Sequence, residues 1–146
     1  MPSLSVRMLG PDDAAVLDGV APDVFDHEVD ARWAAEFFAD PRHHLAIALD
    51  DATVVGIASG VHYVHPDKPP QLFVNEVGVA PTHQGQGIGR QLMEALLARG
   101  RELGCSEAWV LTDYTNAAAR RLYASAGGVE ATEPTLMVTF PLVAKP

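Results

Sequence analysis

The sequence predicts a mixed α+β domain, on three observations. An apolar run, Gln71–Ala80, breaks into a glycine loop and then an apolar-faced helix, Gly87–Leu103. Upstream, two apolar runs joined by Asp50-Asp51 read as a hairpin. Downstream, strand, helix and strand follow the long helix, which implies right-handed crossovers and local parallel pairing. Hairpin first and crossover later describes a mixed sheet with helices packed on it.

The elements follow in order. Ser3–Leu9 is a first strand, and Gly10-Pro11-Asp12-Asp13 supplies a turn and a cap for a short helix to about Val20. Asp30 caps a second helix, where Trp33, Ala34, Phe37 and Phe38 recur at helical spacing, and Pro41 ends it. His44–Leu49 and Thr53–Val61 are the two arms of the hairpin. His65-Pro66-Asp67-Lys68-Pro69-Pro70 cannot be sheet interior, because proline brings no ladder donor. Gln71–Ala80 is the central strand. Ile88, Leu92, Leu96 and Leu103 line one face of the long helix, and Gly104 is its C′ residue. Glu107–Thr112 is a fifth strand, Asn116–Ala126 a helix and Thr135–Leu142 a last strand.

Composition sets the class. The 146 residues make one domain, 1–146, with 48% hydrophobic and 20% charged residues. No repeat or linker divides it. No apolar run approaches the roughly 20 residues of a membrane span, so no membrane partner is expected. The start, Met1-Pro2-Ser3-Leu4-Ser5-Val6-Arg7, lacks a signal-peptide pattern, and Cys105 is the one cysteine. A cytoplasmic protein is the expectation. A net charge of −9 is the wrong sign for a nucleic-acid binder. It suits a cationic substrate, and equally a merely soluble surface.

The loop Gln84-Gly85-Gln86-Gly87-Ile88-Gly89 carries the chemistry. Its glycines let successive backbone N–H groups converge on one anion, and the helix behind them adds its positive dipole end. A dinucleotide-binding Gly-x-Gly-x-x-Gly starting at Gly85 would need glycine where Arg90 stands, and would lie in the first strand–helix unit. The Gly-Lys-Ser/Thr of a phosphate loop is absent. The spacing Gln/Arg-x-x-Gly-x-Gly/Ala does fit, on Gln84, Gly87 and Gly89.

A second motif lies one helix and one strand further on. Asn116-Ala-Ala-Ala-Arg-Arg-Leu-Tyr123-Ala-Ser-Ala-Gly127 matches the pattern Asn-x-x-Ala-x-x-Leu-Tyr-x-x-x-Gly. In this order, the two motifs resemble the GNAT N-acetyltransferase superfamily. Tyr63-Val-His-Pro-Asp-Lys68, Glu76 and Asp113-Tyr114 resemble one branch of it, the small gentamicin-type aminoglycoside 3-N-acetyltransferases. That likeness spans about residues 44 to 125, with a weaker echo at Phe25-Asp-His-Glu28.

The resemblance implies a central, mostly antiparallel sheet of roughly six to seven strands, flanked by about four helices and splayed where the cofactor binds. It implies acetyl-CoA as cosubstrate, a small cationic amine as acceptor and a homodimer. Gln84, Gly85, Gln86, Gly87, Ile88 and Gly89 would take the diphosphate, and Val77, Gly78 and Val79 would pair with the pantetheine arm in β-strand fashion. Gly78 is consistent with a bulge, and an exposed Val77 or Gly78 N–H would serve the developing oxyanion. Glu76, expected to be buried among Leu72, Phe73, Val74, Val77 and Val79, is the candidate general base. The alternative is that Glu76 pairs with an arginine or faces water. Tyr123 resembles the acid that protonates the departing sulfur, and otherwise it is core. Asn116 either caps its helix, contacts the pantetheine arm, or does both.

Asp26, Glu28 and Asp30, with Tyr63, Asp113 and Tyr114, are the candidate acceptor contacts. Each has a plainer reading as a solvated loop residue or a cap. The histidines lack a Cys, His or carboxylate companion at ligand spacing, so no metal is expected. Two rivals stay open: a GNAT for another small amine or a protein α-amine, and a sensor domain that binds coenzyme A without turnover.

Overall fold

The structure, a computed structural model, describes residues 4–144. Ser3, where the first strand was expected to begin, lies outside the described residues. Five strands form one sheet in chain order: β1 (Leu4–Met8), β2 (His43–Asp50), β3 (Thr53–Tyr63), β4 (Gln71–Val79) and β5 (Ala108–Val110). The first four pair antiparallel, and β5 joins β4 in parallel. Three α-helices accompany them: α1 (Ala31–Ala39), α2 (Ile88–Glu102) and α3 (Ala117–Ser125). None of these helices is long and apolar enough to cross a membrane.

The core explains the layering. β2 and β3 are buried on both faces: Ile47 and Ile57 pair on the face away from α2, and α2 closes the other with Ile88, Leu92 and Leu96 over Leu72 and Val74. The hairpin turns at Asp51, whose φ of +52° is left-handed, a conformation that aspartate tolerates better than most side chains. Asp30 caps α1 as expected, its Oδ1 accepting from the Arg32 and Trp33 N–H groups.

Three expectations need correction. The helix expected to run to Val20 is only a 3-10 turn, Ala14–Asp18. Asp13 does not cap it, because its carboxylate turns back to accept from the Gly10 N–H at 2.7 Å. The described residues hold five strands and three α-helices, against roughly six to seven strands and about four helices. The missing strand is Thr135–Leu142, which stays outside the sheet. After α3 the Arg120 guanidinium grips Glu130 with two bonds of 2.8 Å, and from Val129 to Ala144 every residue is exposed. Pro134 stands before the segment and Pro141 within it, and neither has a ladder donor to give.

Candidate functional site

The glycine loop sits at the C-terminal end of β4. Gly85 and Gly87 adopt left-handed φ of +78° and +77°, conformations costly for any residue with a Cβ. Nothing stands within 4 Å of where either Cβ would be, so the loop faces open space. Gly87 is the N-cap of α2 and offers no side chain, so the first-turn N–H groups have no side-chain acceptor there. This is a donor-rich, roomy cradle, which fits a diphosphate. The rest of the loop holds it in shape. Gln84 Nε2 donates to the Val79 carbonyl at 3.1 Å, Ile88 is buried in the core, and Gly89 admits Leu122 of α3. His83 Nε2 lies 2.7 Å from Asp50 Oδ2, tying the start of the loop to the hairpin. Sequence reasoning missed that tie, because the two residues are far apart in the chain.

β4 supplies the second wall. β5 pairs with it only at Leu72, Phe73 and Val74, so among the described residues one edge of β4 has no strand partner from Asn75 to Val79. That is the splay expected beside Val77, Gly78 and Val79. On the other edge, Val74 faces Gly60 and Glu76 faces Ser59, which leaves Asn75 as an extra residue. The bulge therefore lies at Asn75, not at Gly78. Gly78 is required for another reason: a Cβ there would overlap the Val24 carbonyl oxygen, so the 20–25 segment crosses β4 in contact with it.

The bulge also decides where Glu76 points. Leu72 and Val74 face α2, and an unbroken strand would send Glu76 the same way. One inserted residue reverses that parity. Beyond it, Val77 and Val79 pack on the core, while Glu76 and Gly78 turn to the face crossed by Val24. Glu76 is accordingly exposed, which corrects the expectation of burial. Its backbone N–H donates to the buried Ser59 hydroxyl at 3.2 Å, which pins the bulge. Ser59 carried no sequence signal.

An open cleft of about 880 Å³ is lined by the segment from Ala14 to Ala35. Asp18, Asp23, Asp26 and Glu28 are its carboxylates. Asp26 and Glu28 were expected there; Asp18 and Asp23 were not. Asp30 is engaged at the α1 cap and is not among the lining residues.

α3 brings the remaining candidates. Asn116 Oδ1 accepts from the Ala119 N–H at 3.1 Å, which makes it the helix cap. Tyr123 is half-buried against the core, and burial pushes its hydroxyl above the ordinary tyrosine value, so it carries a proton at neutral pH. Asp113 and Tyr114 lie exposed between β5 and α3. The Arg120 guanidinium covers the Tyr114 ring at 4.3 Å and donates to its carbonyl. Tyr63 is not brought to this crevice. It ends β3, opposite the start of β4 and away from the glycine loop, where its hydroxyl donates to Gln71 at 2.8 Å and accepts from Trp109 at 2.6 Å.

Comparison with known proteins gives a family. The model of the acetyltransferase (GNAT) family matches residues 15–127. The N-alpha-acetyltransferase RimI of Mycobacterium tuberculosis is 41% identical over 91 residues, covering 61% of this chain and 54% of its own length. The chain thus spans about half of that relative. An uncharacterised N-acetyltransferase of the same organism is 30% identical over 112 residues, covering 74% of this chain and 69% of the relative. An aminoglycoside acetyltransferase from an uncultured soil metagenomic sample shares the fold, with a TM-score of 0.79 at 20% identity over 97% of this chain and 99% of that one.

Proposed function

The chain belongs to the GNAT acetyltransferase family, and from that premise we propose that it acetylates a primary amine by direct attack on acetyl-CoA. The observation that carries this reading is the bulge at Asn75, beside an unpaired edge of β4 that leads into the glycine loop. One irregularity turns Glu76 to the acceptor face, and it lies where β5 leaves β4 unpaired.

Acetyl-CoA supplies the activated acyl group. The residues from Gln84 to Gly89 bind its diphosphate through main-chain donors, and Val77–Val79 hold its arm along the free edge. Adjacent N–H groups of a strand point to opposite edges, so one of Val77 and Gly78 faces the carbonyl oxygen as charge develops on it. Amines arrive protonated, and Glu76 takes that proton. The Tyr123 hydroxyl gives its proton to the leaving sulfur. Asn116 serves as the helix cap, with its amide nitrogen left to meet the arm.

The acceptor is a small polycation of the aminoglycoside type. The acidic cleft and the net charge of −9 both support it. A protein α-amine is the second reading, favoured by the likeness to RimI. Thiol release from acetyl-CoA, measured with gentamicin, a simple diamine and an alanine-terminated peptide, tests the choice. Turnover on gentamicin is expected. Turnover on the peptide alone moves the assignment to the second reading, and binding of acetyl-CoA with no turnover on any amine leaves a sensor domain.

A further inference from the structure

The sheet face that carries Glu76 holds a feature that the proposed reaction does not use. Phe73 alternates with Leu72 and Val74, so it stands on the face away from α2, the face to which Glu76 turns beyond the bulge. Trp109 of β5 lies across the ladder from Phe73, and the two rings pack with centroids 4.5 Å apart. The indole is nevertheless 39% exposed, so Phe73 supports it and leaves part of the ring open.

That indole is held in place. Its Nε1 donates to the Tyr63 hydroxyl at 2.6 Å, which donates to Gln71 Oε1 at 2.8 Å. Gln71 Nε2 in turn donates to Glu107 Oε1 at 3.1 Å. The chain of bonds joins β3, β4 and β5 at the end of the sheet away from the glycine loop. With its N–H satisfied, the indole keeps one orientation while its ring stays accessible.

A fixed, half-open indole on the same face as a carboxylate suits one kind of ligand. Its negative π-face attracts the C–H and ammonium groups of a cationic ring. A carboxylate stands at each end of the platform, Glu76 beyond Phe73 and Glu107 beside Gln71. From Gln71 to Glu76 the strand runs roughly 15 Å, longer than a single sugar ring. Because Trp109 is ordered before the ligand arrives, little rotamer freedom is lost on binding. A linear amine brings no ring to lay on the indole and gains nothing from it.

We infer that Trp109 is a specificity-determining residue: an amino-sugar ring of the acceptor lies on its indole while the reacting amine meets Glu76. Tyr63 is the positioning residue that holds the indole. This rests on the reading of the chain as an amine acetyltransferase, and adds to it how a ringed acceptor is told from a linear one.

Fluorescence and kinetics together test it. The chain has two tryptophans, and Trp33 on α1 is 64% exposed. Trp33→Phe leaves Trp109 as the single indole reporter. In that protein gentamicin should change the emission saturably, and cadaverine, a linear diamine, should not at the same concentration. Trp109→Ala should raise KM for gentamicin about tenfold, the scale of a desolvated cation–π contact, and leave kcat and KM for acetyl-CoA unchanged. Trp109→Phe keeps a ring and should recover part of the loss. Tyr63→Phe should raise KM for gentamicin about threefold and lower the emission anisotropy of Trp109, because the indole loses its tether. An unchanged KM for gentamicin in Trp109→Ala overturns the inference, and so does an equal loss of affinity for acetyl-CoA, which would mark a structural defect. Should Trp109→Ala fail to fold, the emission titration still decides. Turnover of gentamicin with no emission change overturns the platform and spares the acetyltransferase reading. A saturable change with no turnover on any amine supports the platform and ends that reading, and silence in both overturns both.

Discussion

The two walls of the proposed site are built on different principles. The cofactor wall is backbone: two left-handed glycines, the open first turn of α2 and the unpaired edge of β4, all anchored to Ile88 and Leu92 in the core. The acceptor wall is side chain: carboxylates at Asp18, Asp23, Asp26 and Glu28 on an irregular segment that touches β4 through Val24. Main-chain donors recognise a group common to every acyl-CoA and leave little room for variation. Carboxylates on a loop act through water and distance, and can be exchanged without disturbing the sheet. On the proposed reading, the first wall sets the cosubstrate and the second selects the amine.

The largest expected effect breaks the cofactor wall alone. Gly87→Asp places a side chain at a φ of +77° and a negative charge in the anion cradle. It should abolish acetyl-CoA binding in calorimetric titration. The protein should stay folded, because the space ahead of Gly87 is empty. Near-normal affinity would show that the diphosphate binds elsewhere.

Glu76 lies where the walls meet, and its loss should be kinetic. Glu76→Gln removes the proposed proton acceptor and keeps the shape, so kcat at neutral pH should fall by roughly 10²-fold while both substrates still bind. A mutant that retains the acidic limb of the pH–rate profile would pass the role to Asp113 or a water.

The acceptor wall should yield gradually. Neutralising Asp23, Asp26 and Glu28 together should raise KM for gentamicin several-fold and leave KM for acetyl-CoA unchanged. Added salt should do the same to the wild type, since it screens such attraction beyond about 8 Å at physiological strength. Asp30→Asn is the control, because asparagine still caps α1 and should leave KM where it was. A rise in KM with this variant would return Asp30 to the cleft.

The smallest effect on the reaction comes from outside both walls. His44 is buried on β2, with its Nε2 2.7 Å from Nδ1 of His62 on β3. Burial first, and then the His62 charge, push the His44 value down to about 4. The folded protein therefore holds His44 neutral, whereas the unfolded chain takes up a proton below about pH 6.5. Stability should be fully present above pH 6.5 and be lost as pH falls towards 4, by about 3 kcal/mol from this group. Urea midpoints at pH 7.5 and pH 4.5 measure it. Equal midpoints would remove His44 from the account.

Local chemistry made most of the first wall legible. Glycine spacing marked the loop, apolar periodicity marked α2 and β4, and Asp30 and Asn116 announced their helix caps, because each of these signals is complete within a few residues of chain. Alternation also predicted a strand at Thr135–Leu142, which the described structure leaves outside the sheet. What the tertiary structure alone decided are relations between distant segments. The Ser59–Glu76 register puts an extra residue at Asn75 and reverses the face of Glu76. The crossing of Val24 makes Gly78 necessary, the reach of His83 to Asp50 ties the loop to the hairpin, and the folding of the 14–29 segment brings Asp18 and Asp23 beside Asp26. Period and spacing are properties of neighbours along the chain. Register, crossing and the facing of charges arise only when non-neighbours pack, and so only the folded chain could show them.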